Sequence, residues 1–169
     1  MKKLSFLVVF AIVLVLGAGG AARAIVFALA QNGASTIVAN RTIGKTKNLV
    51  EEVNSKVGVS FEFGSITEVE KHLSKVDICI NCTSVGMYGV SEGETLITSE
   101  QFSKEIVVMD LVYTPLKTKL LLEAEKAGCK TIDGLGMLVH QGAVGFELWT
   151  GKKCPVEVMR TALKEHLGL

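Results

Sequence analysis

Six residues near the start of the chain, Gly17-Ala18-Gly19-Gly20-Ala21-Ala22, constrain its fold more than any other stretch. They follow an apolar run ending in Ile12 to Leu16 and lead into Ala21 to Gln31, which is rich in Ala, Ile, Phe and Leu and stops at Gly33. Strand, glycine turn and helix in that order match the G-x-G-x-x-G/A fingerprint of a dinucleotide-binding unit. Gly17 permits the tight turn, Gly19 lets the backbone approach a diphosphate, and Ala22 is small enough for the helix to close on its strand. Gly17, Ala18, Gly19, Gly20 and Ala21 are therefore candidate cofactor-binding residues, because a helix that starts there presents free amides to an anion. The bland alternative is a helix entry that merely happens to be rich in glycine.

The rest of the sequence alternates in the same way. Ser35 to Asn40 predicts a second strand, and Lys45 to Val57 a helix whose buried stripe is Leu49, Val50 and Val53. Val59 to Phe63 and Val76 to Asn81 read as strands separated by a short helix around Glu68 to Leu73. Ile106 to Leu111 reads as another strand, and Pro115 as the opening of a helix that runs through Ala127 and stops at Gly128. Helices over Leu138 to Trp149 and Val156 to Leu167 complete the tail. Strands apolar on both faces, alternating with helices, imply a doubly wound α/β fold around a parallel sheet. At 169 residues, one domain is the expected count.

Composition narrows the classes further. A net charge of +1 gives no electrostatic basis for binding nucleic acid or an anionic membrane. Cys79, Cys82, Cys129 and Cys154 are too few for a secreted disulfide framework, which favours a reducing cytoplasm. Cys79 and Cys82 have the spacing of a redox or zinc pair, but no second Cys-x-x-Cys completes a tetrahedral site, so packing thiols and no metal are expected. Lys2 and Lys3 before Leu4 to Leu16, with Ala22-Arg23-Ala24 beyond, have the outline of a signal peptide. Cleavage there would remove the glycine loop, and the run is shorter than the roughly 20 residues of a spanning helix.

Cofactor choice in such folds is read at the end of the second strand, where an acidic residue would hold the ribose 2′-hydroxyl of NAD. Here that strand ends in Asn40-Arg41-Thr42, with Lys45 one helical turn on. A guanidinium fork, a hydroxyl and an ammonium suit a 2′-phosphate, so NADP is favoured over NAD; solvated surface cations are the alternative. Asn81 to Met87 and Asp110 to Pro115 leave the carboxyl ends of strands, where open sheets bind ligands. Gly134-Leu135-Gly136-Met137 leads into a helix carrying His140 and Gln141. On physical grounds alone each of these three segments reads equally as ordinary loop and helix packing.

Taken together, these stretches resemble the NADP-binding C-terminal domain of shikimate dehydrogenases, over nearly the whole chain from Val13 onward. The matching segments are Gly17 to Ala22 followed by Arg23, Asn40-Arg41-Thr42 with Lys45, Asn81 to Met87, Asp110 to Pro115 with Thr118, and Gly134 to Gln141 with Phe146 and Trp149. The resemblance implies that Arg41, Thr42 and Lys45 form the clamp on the adenosine 2′-phosphate, with Asn40 a further cofactor-binding residue. It implies that Met137 packs on the nicotinamide, that Thr83, Val112 and Gly134 line its ribose and amide, and that Tyr113 and Gln141 reach the bound shikimate. The family reaction is the reversible, NADP-dependent conversion of 3-dehydroshikimate to shikimate in aromatic biosynthesis.

One departure is important. The family's catalytic Lys and Asp belong to an N-terminal substrate domain, and only a dozen residues precede the glycine-loop strand here. Transfer of hydride to a carbonyl needs a positioned proton donor. His140, His72 and His166 are weak candidates, the last two reading as solvent-facing. No catalytic residue is assigned, and the expectation is a cofactor-binding domain that turns over negligibly alone. Two other readings stay open: a quinate/shikimate dehydrogenase paralogue that uses NAD, and a non-catalytic NADP-binding or assembly module. An exposed cleft further suggests a homodimer through Leu4 to Phe10.

Overall fold

The computed structural model describes residues 11–103 and 105–168. β1 (Ile12–Leu16) lies at the heart of a six-stranded sheet, buried on both faces: Leu14 and Leu16 enter one core cluster, Val13 and Val15 the other. Each such side chain contributes about 1.5–3 kcal/mol of burial. α1 (Gly20–Gln31) packs Ala22, Val26 and Ala30 onto the second cluster. β2 (Ser35–Asn40), α2 (Ile43–Val57) and β3 (Glu62–Ser65) complete one half of the sheet, and α3 (Glu70–Leu73) returns the chain to β4 (Ile78–Asn81). Beyond β5 (Val107–Asp110) come α4 (Lys119–Lys126), β6 (Lys130–Ile132), α5 (Leu135–Thr150) and α6 (Val156–His166).

The strands are parallel in the order β3-β2-β1-β4-β5-β6, so the winding reverses between β1 and β4. This is the doubly wound α/β fold expected from the sequence, and its ligand crevice belongs at the carboxyl edge of the sheet, at that reversal.

Several boundaries differ from expectation. The third strand begins at Glu62 rather than Val59, because the Phe61 amide donates to Asn54 Oδ1 of α2 (3.2 Å) and ties the preceding segment to that helix. Pro115 does not open a helix. It follows a cis peptide in a bend, and α4 starts only where Thr118 Oγ1 accepts from the Leu121 amide. α5 starts three residues early, its entry fixed by Asp133 Oδ1 accepting from the Leu135 amide (3.0 Å). β6 was not foreseen; among the described residues its three residues pair with β5 alone, and they carry no apolar run.

Helix and strand also do not alternate throughout. No α-helix occurs among the described residues between β4 and β5; a long loop with a 3-10 turn at Ser99–Gln101 takes its place. Ile97 and Ile106 are buried in the first cluster and anchor that loop in place of a helix face. Glu123 of α4 pins it from outside, accepting from the Ser99 amide (2.8 Å) while Lys119 Nζ stands 3.0 Å away.

Those contacts, the lysine's first, hold the Glu123 carboxyl down at about 2. A lowered carboxylate stabilises the fold above its ordinary value of 4.5 and loses that contribution as pH falls toward 2. Urea unfolding midpoints are therefore expected to drop across this interval, and Glu123→Gln to flatten the drop. Equal slopes in variant and parent would contradict the assignment.

The expected dimer segment, Leu4 to Phe10, lies outside the described residues. Among the described residues no helix is long and apolar enough to cross a membrane.

Candidate functional site

At the end of β1 the chain turns at Gly17, whose φ of +111° favours glycine. A Cβ there would stand 3.2 Å from the Cys82 carbonyl and Thr83 Cγ2, so this glycine lets the turn pass close over the end of β4. The Gly17 amide donates to Ala39 O of β2 (2.7 Å), which draws the glycine loop toward Asn40-Arg41-Thr42.

The two helices that begin beside the glycine loop, α1 and α2, start without a side-chain cap. Gly19 precedes α1 and Thr42 precedes α2; neither accepts from its helix through a side chain, and neither helix has an acidic residue in its first turn. Helix starts ordinarily satisfy their free amides with Ser, Thr, Asp or Asn oxygens and favour nearby carboxylates. Two starts left open side by side therefore make a surface suited to anions.

These elements enclose a cleft of about 430 Å³ lined by Gly17, Ala18, Gly19, Asn40, Arg41, Thr42, Lys45 and Thr83, all expected from the sequence. Asn40 Nδ2 donates to Thr42 O (3.2 Å) and fixes the turn that displays Arg41. Among the described residues no carboxylate lies within 4.0 Å of the Arg41 or Lys45 cationic groups, so two cations face the cleft uncompensated. Gly20 lines an adjoining depression, whereas Ala21 is exposed and lines neither. Ile66 and Leu96 supply apolar cleft wall that sequence reasoning missed. They come from a 3-10 turn and an irregular loop, and neither position carries a periodic signal.

The remaining candidates lie outside this lining. Thr83, on the cleft, is joined to Val112 through a buried network. Asn81 Oδ1 accepts from Thr83 N (3.0 Å) and Oγ1 (2.7 Å), and Asn81 Nδ2 donates to Asp110 Oδ1 (2.9 Å). The same Asp110 oxygen accepts from the Val112 amide (2.9 Å), and Oδ2 accepts from Thr118 Oγ1 (2.7 Å). Burial pushes the Asp110 carboxyl upward, against the pull of these donors. Gly134 sits directly against Val112 and Leu111: an added Cβ would stand 2.7 and 2.6 Å from their carbonyl oxygens. Met137 packs partly buried on the cluster that also receives Ala18 and Cys82. Tyr113 is half-buried and Gln141 exposed, and neither lines the cleft.

His140 and His166 are exposed, but His72 does not face solvent as expected. It is half-buried, its Nδ1 is buried without a hydrogen-bond partner, and its ring lies where a Cβ on Gly64 would meet Nε2 at 3.1 Å. The four cysteines are free. Burial, aided by the negative charge of Asp110, pushes the Cys82 thiol up to about 12, and Cys79 is raised by burial as well, so both are protonated packing groups at neutral pH. Among the described residues no group of three His, Cys, Asp or Glu could hold a metal ion.

The family profile described as "Shikimate / quinate 5-dehydrogenase" matches residues 6–135. The chain belongs to this family. A second profile, "Shikimate 5′-dehydrogenase C-terminal domain", matches residues 134–164. Shikimate dehydrogenase (NADP(+)) of Methanopyrus kandleri is 50% identical over 156 residues, covering 90% of this chain and 54% of the relative. Among solved structures, a shikimate dehydrogenase in complex with NADP+ superposes with a TM-score of 0.86 at 42% identity, covering 93% of this chain and 55% of that one. Quinate dehydrogenase from Corynebacterium glutamicum in complex with NAD superposes at 0.84 with 30% identity, covering 92% and 55%. The chain thus spans about half the length of the shikimate/quinate dehydrogenases it matches.

Proposed function

We propose that this chain is the NADP(H)-binding domain of a shikimate dehydrogenase, acting in the reversible interconversion of 3-dehydroshikimate and shikimate. One observation carries the reading: two uncapped helix starts and two uncompensated cations, Arg41 and Lys45, open onto a single cleft at the winding reversal. The amides at the start of α1 receive the diphosphate. Arg41, the Thr42 hydroxyl, which does not cap its own helix, and Lys45 receive the 2′-phosphate, which a carboxylate in their place would repel. Ile66 and Leu96 offer an apolar wall to the adenine. Thr83, Val112, Gly134 and Met137 orient the nicotinamide end, and Tyr113 and Gln141 are this domain's contribution to the shikimate. When bound, the coenzyme supplies or accepts the hydride that interconverts the 3-keto and 3-hydroxy forms.

Proton delivery is the step this domain does not provide. The titratable side chains lining the cleft are Arg41, Lys45 and Cys82, two side chains placed to hold an anion and a thiol that burial keeps protonated at neutral pH, and none is positioned as a proton donor. The chain alone therefore binds coenzyme and turns over negligibly. Four unpaired thiols support a place in the reducing cytoplasm.

Calorimetry tests this. NADP+ is expected to bind at least about tenfold tighter than NAD+. Arg41→Gln, removing one charge-assisted contact, is expected to weaken NADP+ by about 10- to 100-fold while barely changing NAD+. Absence of NADP+ uptake by folded chain would overturn the reading, and brisk NADP-dependent oxidation of shikimate would overturn the assignment of proton delivery elsewhere.

A further inference from the structure

Arg23, unlike Arg41 and Lys45, is not free. Its guanidinium makes two bonds to the Glu52 carboxylate of α2, which also accepts from Lys56 Nζ (2.6 Å). Arg23 and Lys56 both stand over the Phe27 ring, 5.3 and 5.7 Å from its centroid. Phe27 lies one turn further along α1 than Arg23, so this cluster draws the guanidinium away from the open amides at the helix start.

The cluster nevertheless borders the anion seat. Arg23 and Glu52 line a depression of about 350 Å³ with Ala18, Gly19, Gly20 and Lys45. Ala18, Gly19 and Lys45 line the main cleft as well, so the two spaces are continuous. The Arg23 side chain is 48% exposed, and among the described residues its contacts are the Glu52 carboxylate and the Phe27 ring. Arg23 lines the same depression as Gly19 and Gly20, and its planar fork suits a phosphate bound there.

We propose that Glu52 is a positioning residue that holds Arg23 in reserve, away from the diphosphate seat, and so limits how tightly the dinucleotide is retained. The inference rests on the nucleotide-binding reading above. A coenzyme that leaves after every turnover is poorly served by a further cation on its diphosphate, since added contacts act mainly by slowing release. The latch satisfies Arg23 without that contact.

The full chain, Glu52→Gln, Arg23→Gln and the double variant are to be titrated calorimetrically with NADP+ and, separately, with inorganic diphosphate, with circular dichroism confirming the fold. Glu52→Gln is expected to bind both anions about three- to fivefold tighter, the scale of an exposed ion pair, with a steeper salt dependence. The double variant is expected to return to within about twofold of the parent, because the gain needs the freed guanidinium. Two results would overturn the proposal: Glu52→Gln binding no tighter than the parent, or a double variant as tight as Glu52→Gln, which would reduce the effect to a lost negative charge. Failure of the parent to take up NADP+ while the diphosphate ratio holds would sink the nucleotide reading and leave the latch standing.

Discussion

Replacing Asp110 by Ala is expected to destabilise the fold by about 3–5 kcal/mol, measured as a fall in the urea midpoint at neutral pH. The carboxylate is fully buried and accepts three hydrogen bonds, from Asn81 Nδ2, the Val112 amide and Thr118 Oγ1. Truncation removes the shared acceptor of three buried donors. Asp110→Asn keeps one oxygen for the first two donors and is expected to cost only about 1–3 kcal/mol. Both variants should also weaken coenzyme binding, because the same carboxylate fixes the strand ends that carry Thr83 and Val112. Acid does not reproduce the effect. Burial raises the Asp110 carboxyl, so the folded chain takes up this proton more readily than the unfolded chain, and the group's contribution falls as pH rises out of the carboxylate range. An Asp110→Ala chain as stable as its parent would show that the network holds nothing together.

Gly134→Ala carries the second large penalty, about 3 kcal/mol, at the upper end of overpacking costs. An added Cβ would lie 2.6 Å from Leu111 O, 2.7 Å from Val112 O and 2.9 Å from Leu111 C. These are backbone atoms and cannot rotate aside, so either α5 or the end of β5 must shift. The φ of −78° is open to any residue, which makes the penalty one of space alone. Gly136, two residues on, has nothing within 4 Å of its would-be Cβ, and Gly136→Ala is expected to be neutral or to stabilise by up to about 1 kcal/mol through helix propensity. Similar unfolding curves for the two variants would refute the packing argument.

The glycine loop, the central strands and the residues that line the cleft at the end of β2 were legible because each depends on local chemistry: a turn that needs Gly17, a double-faced apolar run, a cationic strand end. What escaped detection depends on partners far along the chain. β3 is displaced by a side chain of α2, α4 waits for a threonine engaged by a buried aspartate, and β6 exists only because β5 has an open edge. Asp110 illustrates the limit. In the sequence it is one acidic residue at a strand end, and only the folded chain surrounds it with donors contributed by Asn81, Val112 and Thr118.

The reversal of winding between β1 and β4 has a consequence for how occupancy and folding are linked. The residues lining the cleft, from Gly17 through Arg41 to Leu96, are gathered from segments that share no continuous stretch of polypeptide. Any ligand seated there clasps both wings of the sheet at once and has no equivalent foothold on the unravelled chain. Saturation at a hundred times the dissociation constant would then raise resistance to unfolding by about 2.7 kcal/mol through mass action. The melting temperature becomes a gauge of ligand supply.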